Sequence, residues 1–320
     1  MTPEQSFRAA YLLLSHHRPR QIEALTNRIL TLSPTGDVVV HHDVTATELP
    51  WSGSPPPRVH MVERMQVRWG DWSIVEASLR LLRFASERLD ADWYVFLSGE
   101  DRPVVDLARW EQDMQRSGHD GLVPARPLNR KPAFGRRPTF EDLNFVRYSY
   151  RWRAIPQLSG VNRRLVELAR RASRFAQPLY KIEYAPRREQ FILGVPRRRR
   201  LPPGWVLYTG PQWVACGRRA ADTLLHVDAS VVDWYRQTWI PDQSFIHTVL
   251  RNHTGLSLSQ TPLTYVVPYS TKRRRGDMAL RMDDLEAIYR SGAAFARKFD
   301  PSVDSDILRA VDDAIDSEAP

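Results

Sequence analysis

The sequence predicts an α/β fold, a Rossmann-like and mostly parallel sheet flanked by helices, and three observations predict it. Strand-like and helix-like patterns alternate across residues 1–125. The strand segments AAYLLL (9–14), DVVVH (37–41) and WYVFL (93–97) are short and apolar, as suits strands covered on both faces. The last two run straight into polar clusters, His41-His42-Asp43 and Ser98-Gly99-Glu100-Asp101. In parallel α/β sheets, ligands gather beyond such carboxyl ends.

The first helix is expected over 19–32, where Ile22, Leu25, Ile29 and Leu32 share a face. A proline-rich loop at 50–57 precedes a short strand near Val59. Ser73 with Glu76 reads as a capping box ahead of an apolar face of Ile74, Ala77, Leu81, Leu82, Ala85 and Leu89. From 124 to 203 aromatics (Phe145, Tyr148, Tyr150, Trp152) interleave with arginines (Arg147, Arg151, Arg153). Val161 to Phe175 reads as a helix with an apolar side of Val161, Leu165, Leu168, Ala172 and Phe175 and a solvated arginine face. Trp205 to Thr209 and Gln212 to Cys216 follow as strands, then a helix over 218–225. At 240–252, Pro241 and Asp242 read as a helix start with Asp242 as cap, Gln243 and His247 sharing one face, and Phe245, Val249 and Leu250 facing a core. Leu263 to Pro268 is a further strand, and a basic loop at 272–275 leads to a helix capped by Asp283 and Glu286 and ended by Gly292.

The chain of 320 residues is 42% hydrophobic, enough for one large α/β domain or two smaller ones, and its ten tryptophans argue against disorder. With no apolar run near the ~20 residues of a bilayer span, a soluble cytoplasmic protein is expected. Cys216 is the single cysteine, which excludes an internal disulfide or a cysteine metal cluster. The 46 Lys plus Arg against 37 Asp plus Glu leave a net charge of +9, suited to a polyanion: a nucleotide diphosphate, anionic lipid or nucleic acid. No linker divides the chain, so a single domain is expected: a nucleotide-binding half (1–125), a basic and aromatic acceptor-side insertion (126–203), and a catalytic and phosphate-binding half (204–320).

Six stretches resemble, in order, the family of core-2/I-branching β-1,6-N-acetylglucosaminyltransferases and peptide O-xylosyltransferases. They are VVVHHD at 38–43, VRWGDWSIVEASLRLL at 67–82, FLSGEDRPV at 96–104, TGPQWVACGRRAADTLL at 209–225, PDQSFIHTVLRN at 241–252 and FARKFD at 295–300. No such likeness is visible across 125–200. The resemblance implies a GT-A type fold, a nucleotide-sugar donor (usually a UDP-sugar), and inverting transfer to a hydroxyl with no metal and no other cofactor. A leaving diphosphate must then be neutralised by fixed cations, and Arg297 and Lys298 match the family's phosphate-binding residues, with Arg275 at the spacing of another arginine. Asp43 matches the aspartate near the nucleotide base, or is a turn cap. Ser98 and Asp101 are expected to shape the floor near the sugar. Asp90-Ala91-Asp92 has the form of a metal-binding Asp-x-Asp but precedes its strand, and reads as a solvated turn.

Gln243 stands where the family has its catalytic glutamate. An amide cannot serve as a general base, and losing one costs roughly 10²- to 10⁴-fold in rate, about 3–5 kcal/mol of barrier. Asp242 or Glu100 can supply the carboxylate, an acidic acceptor hydroxyl can need only orientation, the chain can bind without transfer, or the glutamine can be an engineered trap. The expected partners are a nucleotide-sugar, a glycan or hydroxylated small-molecule acceptor, and peripheral anionic membrane, with no nucleic acid. Lacking the anchor and many disulfides of the family's animal members, the chain reads as bacterial. The alternatives are a degenerate member that only binds nucleotide-sugar or glycan, and a basic RNA- or membrane-surface-binding protein.

Overall fold

A computed structural model describes residues 7–128, 140–156, 160–173, 175–176, 179–185, 189–197, 201–268 and 278–318. The chain begins β1 (Ala9–Ser15), α1 (Pro19–Leu32), β2 (Asp37–His42), β3 (Val59–Met61), α2 (Trp72–Arg88), β4 (Trp93–Ser98), β5 (Arg102–Pro103) and α3 (Leu107–Ser117). The middle holds β6 (Gly121–Leu122), β7 (Arg126–Pro127), α4 (Phe140–Ser149), β8 (Tyr150–Ala154), α5 (Gly160–Ala172), β9 (Lys181–Ala185), β10 (Gln190–Pro196) and β11 (Tyr208–Thr209). It closes with β12 (Ala215–Gly217), α6 (Arg218–Leu225), α7 (Ala229–Tyr235), α8 (Phe245–Asn252), β13 (Leu258–Ser259), β14 (Thr264–Val266), α9 (Leu285–Arg290), β15 (Phe295–Arg297) and α10 (Asp306–Glu318).

Seven strands form the central sheet in the order β13-β6-β12-β4-β1-β2-β3. The β1–β2, β1–β4, β2–β3 and β13–β6 pairs are parallel, and β12 runs against both neighbours. The α/β expectation therefore holds, with one reversed strand in a mostly parallel sheet. Alternation along β1 explains why its apolar run tolerates no polar position: Tyr11 and Leu13 enter one core, Ala10 and Leu12 the other. Phe96 on β4 packs with the second group, Val95 and Leu97 with the first. A buried Leu such as Leu12 or Leu13 removed to Ala costs about 2–5 kcal/mol. Since β12 lies beside β4, residues from both ends of the chain share one sheet. The middle segment adds a separate antiparallel sheet, β8-β10-β9.

Several local expectations need correction. Helix α2 is capped by Asp71, whose carboxylate accepts from the Ser73 amide; Ser73 Oγ instead accepts from the Arg68 amide, and Glu76 accepts from the Trp72 indole. The 240–252 helix is broken: Pro241–Gln243 is a 3-10 turn, and α8 starts only at Phe245 after Ser244 at φ −140°. Ile240, at φ 57°, occupies the cap position, so Asp242 is not the cap. At the last of these helices the capping pair is Arg281 with Asp284, not Asp283 with Glu286. Helix α5 exists, but Leu165 and Leu168 are exposed rather than turned to a core. Local pattern gives the face of a helix; only its neighbours decide whether that face is covered.

Candidate active site

The parallel strands β1, β2 and β4 deliver their carboxyl ends to one edge of the sheet. Gly99 lets them meet closely, because a Cβ there would come within 3.1 Å of Ile22 and 3.2 Å of Ser15. On this edge β15 brings in Arg297 and then Lys298, as its neighbour β5 pairs with it immediately after the β4 turn. Ser98, Glu100, Asp101, Arg297 and Lys298 are thus brought together, with Glu100 on the side of the cations rather than beside Gln243.

Their contacts divide the labour. Asp101 is fully buried and accepts from the Ser98 amide at 2.9 Å and the Ser98 hydroxyl at 3.1 Å. Arg297 Nε lies 3.0 Å from Asp101 Oδ1, an ion pair rather than an aligned hydrogen bond, and its Nη2 donates to Ser98 Oγ at 3.0 Å. Burial pushes Asp101 up to about 6, and Arg297 only partly offsets it. Glu100 has Lys298 Nζ at 2.6 Å, Arg297 Nη2 at 3.6 Å, His17 Nε2 at 3.6 Å and Arg18 Nη1 at 4.0 Å. Burial raises its pKa, but the Lys298 hydrogen bond and the surrounding cations outweigh that and hold it below the usual carboxylate value. Arg297 also lies flat against Trp213, its guanidinium carbon 4.7 Å from the ring centroid. Arg297, Lys298 and Arg18 are matched by Glu100, Asp101 and Asp300, the last bound by Arg18 Nη2 at 2.5 Å, with Lys298 and Arg18 partly open to solvent. An incoming polyanion can take over these cations by displacing Glu100 from Lys298.

Asp43 sits at the end of the adjacent β2, and its carboxylate is already employed. Oδ1 accepts from the Thr45 amide and hydroxyl at 2.7 and 2.6 Å, and Oδ2 from the Val67 amide at 2.7 Å. Burial opposes these bonds, yet they win and hold Asp43 ionised below its ordinary value. It fixes the loop that carries Val67 to Trp69, so the turn-cap role foreseen for it is real. His41 and His42 point apart: His41 Nε2 accepts from the Met65 amide, while His42 contacts Ser15 Oγ and the Glu48 carbonyl.

Gln243 stands in a second area; Asp242, its neighbour in the chain, does not line the cleft there, and its Oδ1 is buried. Gln243 borders a cleft of about 420 Å³ lined also by Asn144, Thr209, Pro211 and Gln260. Arg147 Nη1 donates to Gln243 Oε1 at 2.9 Å and to Asn144 Oδ1 at 2.7 Å. Arginine has no acceptor, so the amide oxygen must face it and the amide NH₂ is left for another partner. The Gln243 carbonyl accepts from the Gly210 amide and the Thr209 hydroxyl, both at 3.0 Å. His247 does not share this face: it is fully buried, bonded to the Pro211 carbonyl at 2.8 Å, and burial lowers its pKa to about 4. Trp213 links the two areas, carrying Arg297 on its ring while the preceding Thr209–Pro211 segment is tied to Gln243 and His247.

The Asp90-Ala91-Asp92 turn lies at the amino end of β4, where Arg218 pairs with both aspartates at 2.6 and 3.2 Å. Arg275 lies outside the described residues. Arg147, Trp213, Arg18 and His17 were not among the residues singled out as the site. Arg18 and His17 follow the end of β1, a position the strand-end rule could have flagged; nothing in the sequence places Arg147 on Gln243.

Residues 9–135 match the family model described as Core-2/I-Branching enzyme. Over that stretch the chain is similar to core-2/I-branching enzymes. The matched stretch contains Asp43, Ser98, Glu100 and Asp101, while Gln243, Arg297 and Lys298 lie beyond it. A xylosyltransferase of Ciona intestinalis is 27% identical over 197 residues, 59% of this chain and 18% of that protein, so the chain spans under a fifth of that relative's length. Among solved structures, a putative glucose-1-phosphate thymidylyltransferase from Bacillus anthracis aligns over 78% of this chain and 85% of its own at 10% identity, TM-score 0.37. HddC from Yersinia pseudotuberculosis aligns over 37% of this chain and 59% of its own at 8% identity, TM-score 0.24. Such slight structural likenesses do not bear on the chemistry.

Proposed function

We propose that this chain is a single-domain, inverting glycosyltransferase that moves a GlcNAc- or xylose-like sugar from a nucleotide-sugar, a UDP-sugar, to a hydroxyl of a glycan or small molecule. The observation that carries the proposal is the convergence of Arg297, Lys298, Arg18 and His17 on the carboxyl ends of β1 and β4. Arg297, Lys298 and Arg18 would neutralise the diphosphate as its bond to the sugar breaks, so that fixed side chains serve where a metal otherwise would. Arg297 is positioned by Trp213, Asp101 and Ser98, so little reorganisation is needed when charge develops.

On the acceptor side, the hydroxyl oxygen attacks the anomeric carbon, the bond to the diphosphate breaks, and the hydroxyl proton must leave. Glu100 is a poor recipient, since Lys298 and its neighbours stabilise its ionised form. Gln243 is occupied by Arg147 and has no basic site. Asp242, beside Gln243, is the carboxylate assigned to take the proton, with Arg147 and Gln243 orienting the acceptor. Asp43 holds the loop near the nucleotide base. The Arg147–Gln243 hydrogen bond also favours a second reading, a chain that binds nucleotide-sugar and glycan without transfer. The two readings are separated by product formation from a donor that binds.

The test is calorimetric titration with UDP in excess EDTA, with GDP and TDP as comparators. Micromolar binding of UDP without metal is expected. Binding restored only by Mn²⁺ would refute the metal-free neutralisation, and no binding of any nucleotide under either condition would refute the transferase.

A further inference from the structure

A separate cleft of about 500 Å³ opens between the loop before α2 and the β8 edge of the antiparallel sheet. Its walls include the half-buried indoles of Trp69, Trp152 and Trp239 and the exposed side chains of Arg68, Arg153 and Arg236. Among the described residues Asp71 is the one carboxylate in that lining, and it is engaged at the start of α2 through the Ser73 amide. Gly70, at φ +69°, makes the wall possible: a Cβ there would meet the Trp239 indole at 3.2 Å, and its carbonyl accepts from the Ile240 amide at 3.0 Å. Trp152 and Trp239 stand 5.7 Å apart, inclined by 59°.

This cleft is joined to the Gln243 region through one residue. The Arg147 carbonyl accepts from the Trp152 indole at 2.9 Å and from the Trp239 amide at 3.4 Å. The Arg147 guanidinium lies 5.8 Å from the Trp239 ring and donates to Gln243 Oε1. A chain-like ligand with its reacting hydroxyl at Gln243 would therefore lay its neighbouring units along the tryptophans.

We infer that this cleft is the remote subsite of an acidic glycan acceptor, with sugar rings stacked on Trp69, Trp152 and Trp239 and uronate-type carboxylates paired with Arg68, Arg153 and Arg236. The inference rests on the transferase reading and names its acceptor class. Indole faces suit the C–H faces of sugar rings. Guanidinium forks suit carboxylates, and the lining offers those of Arg68, Arg153 and Arg236, of which Arg236 also donates to the exposed Asp233 at 3.1 Å. The volume is that of a ligand larger than a single small group. A neutral glycan would use the rings and leave the arginines idle; a polyanion without sugar rings would do the opposite.

The test is titration with tetragalacturonate, followed by tryptophan fluorescence and calorimetry, beside its carboxyl-reduced counterpart and tetraglutamate. Tetragalacturonate is expected to bind and perturb the fluorescence, the reduced form to bind about tenfold or more weaker, and tetraglutamate weaker still. Arg68→Gln with Arg153→Gln, both exposed and outside the core, is expected to weaken tetragalacturonate about tenfold and leave UDP binding unchanged. Equal binding of the reduced form, equal binding of tetraglutamate, or an unaffected double variant would each overturn the inference. UDP binding without any tetragalacturonate binding would sink the inference alone. Tetragalacturonate binding without UDP binding, with or without Mn²⁺, would sink the transferase reading on which it rests.

Discussion

Replacing Arg297 by Met should separate the two jobs of this side chain, supporting Asp101 and receiving the diphosphate. Asp101 has 0% side-chain exposure and Arg297 15%, so solvent screens their pair little. With Arg297 present, Asp101 titrates near about 6 and is ionised at pH about 7.5. Without it, the buried carboxylate escapes by taking a proton, which costs about 1.36 kcal/mol per pH unit over about 1.5 units, or about 2 kcal/mol. Losing the Arg297–Ser98 hydrogen bond adds about 1 kcal/mol, for about 3 kcal/mol in all. The pH dependence has a fixed sign. The folded pKa of Asp101 is raised, so its stabilisation is complete below the unfolded value of 3.8 and is lost as pH rises through about 6. At pH about 5 both proteins hold Asp101 largely protonated, and the variant should lose only about 1 kcal/mol. Urea unfolding of the wild type, Arg297→Met, Asp101→Asn and the double variant at both pH values measures this. The double variant should recover most of the loss at pH about 7.5, yet bind UDP at least about tenfold weaker because the guanidinium is still missing. A loss equal at both pH values, or no recovery in the double variant, would refute the coupling of Arg297 to a buried, titrating Asp101.

Asp242→Asn is expected to lower transfer about 10²-fold or more while UDP affinity measured by calorimetry stays unchanged; an unaffected rate would remove Asp242 as the base. Stability should fall as pH drops from 6.5 towards about 4, because His247 is held neutral by burial with its pKa lowered from 6.5 to about 4. A depressed histidine gives stability present above its unfolded pKa and lost as pH falls towards the folded one. The full shift of about 2.5 units is worth about 3 kcal/mol at most, and His41, also lowered to about 4 by burial, adds to the same slope. His247→Gln should make the acid limb of urea midpoint against pH shallower, and an unchanged slope would count against a buried neutral His247. Gly210→Ala should cost about 1–3 kcal/mol and lower transfer more than UDP binding. Its Cβ would fall 2.2 Å from the Pro124 carbonyl and 2.7 Å from the His247 ring, forcing apart the loop bonded to Gln243. Wild-type stability and transfer in that variant would show that the loop can yield.

The sequence by itself determined the elements whose signal is local. Apolar runs such as WYVFL can only be strands covered on both faces, and the polar residues that follow them mark the ligand edge of a parallel sheet. The short motifs carried the family resemblance, and with it the expectation that Ser98, Asp101, Arg297 and Lys298 serve the donor. Tertiary structure decided what depends on which groups meet. Asp71 rather than Ser73 caps α2, and Ser244 breaks the helix expected from Pro241, because caps are settled by bonds that several polar residues compete to make. Arg147 meets Gln243, and Trp213 supports Arg297, across sequence gaps over which no periodicity operates. The arginines of the helix over 161–175 read in sequence as a solvated face. Arg153, outside that helix, instead joins Arg68 and Arg236 from distant parts of the chain in the wall of one cleft, because charge has a place only once the backbone around it is folded.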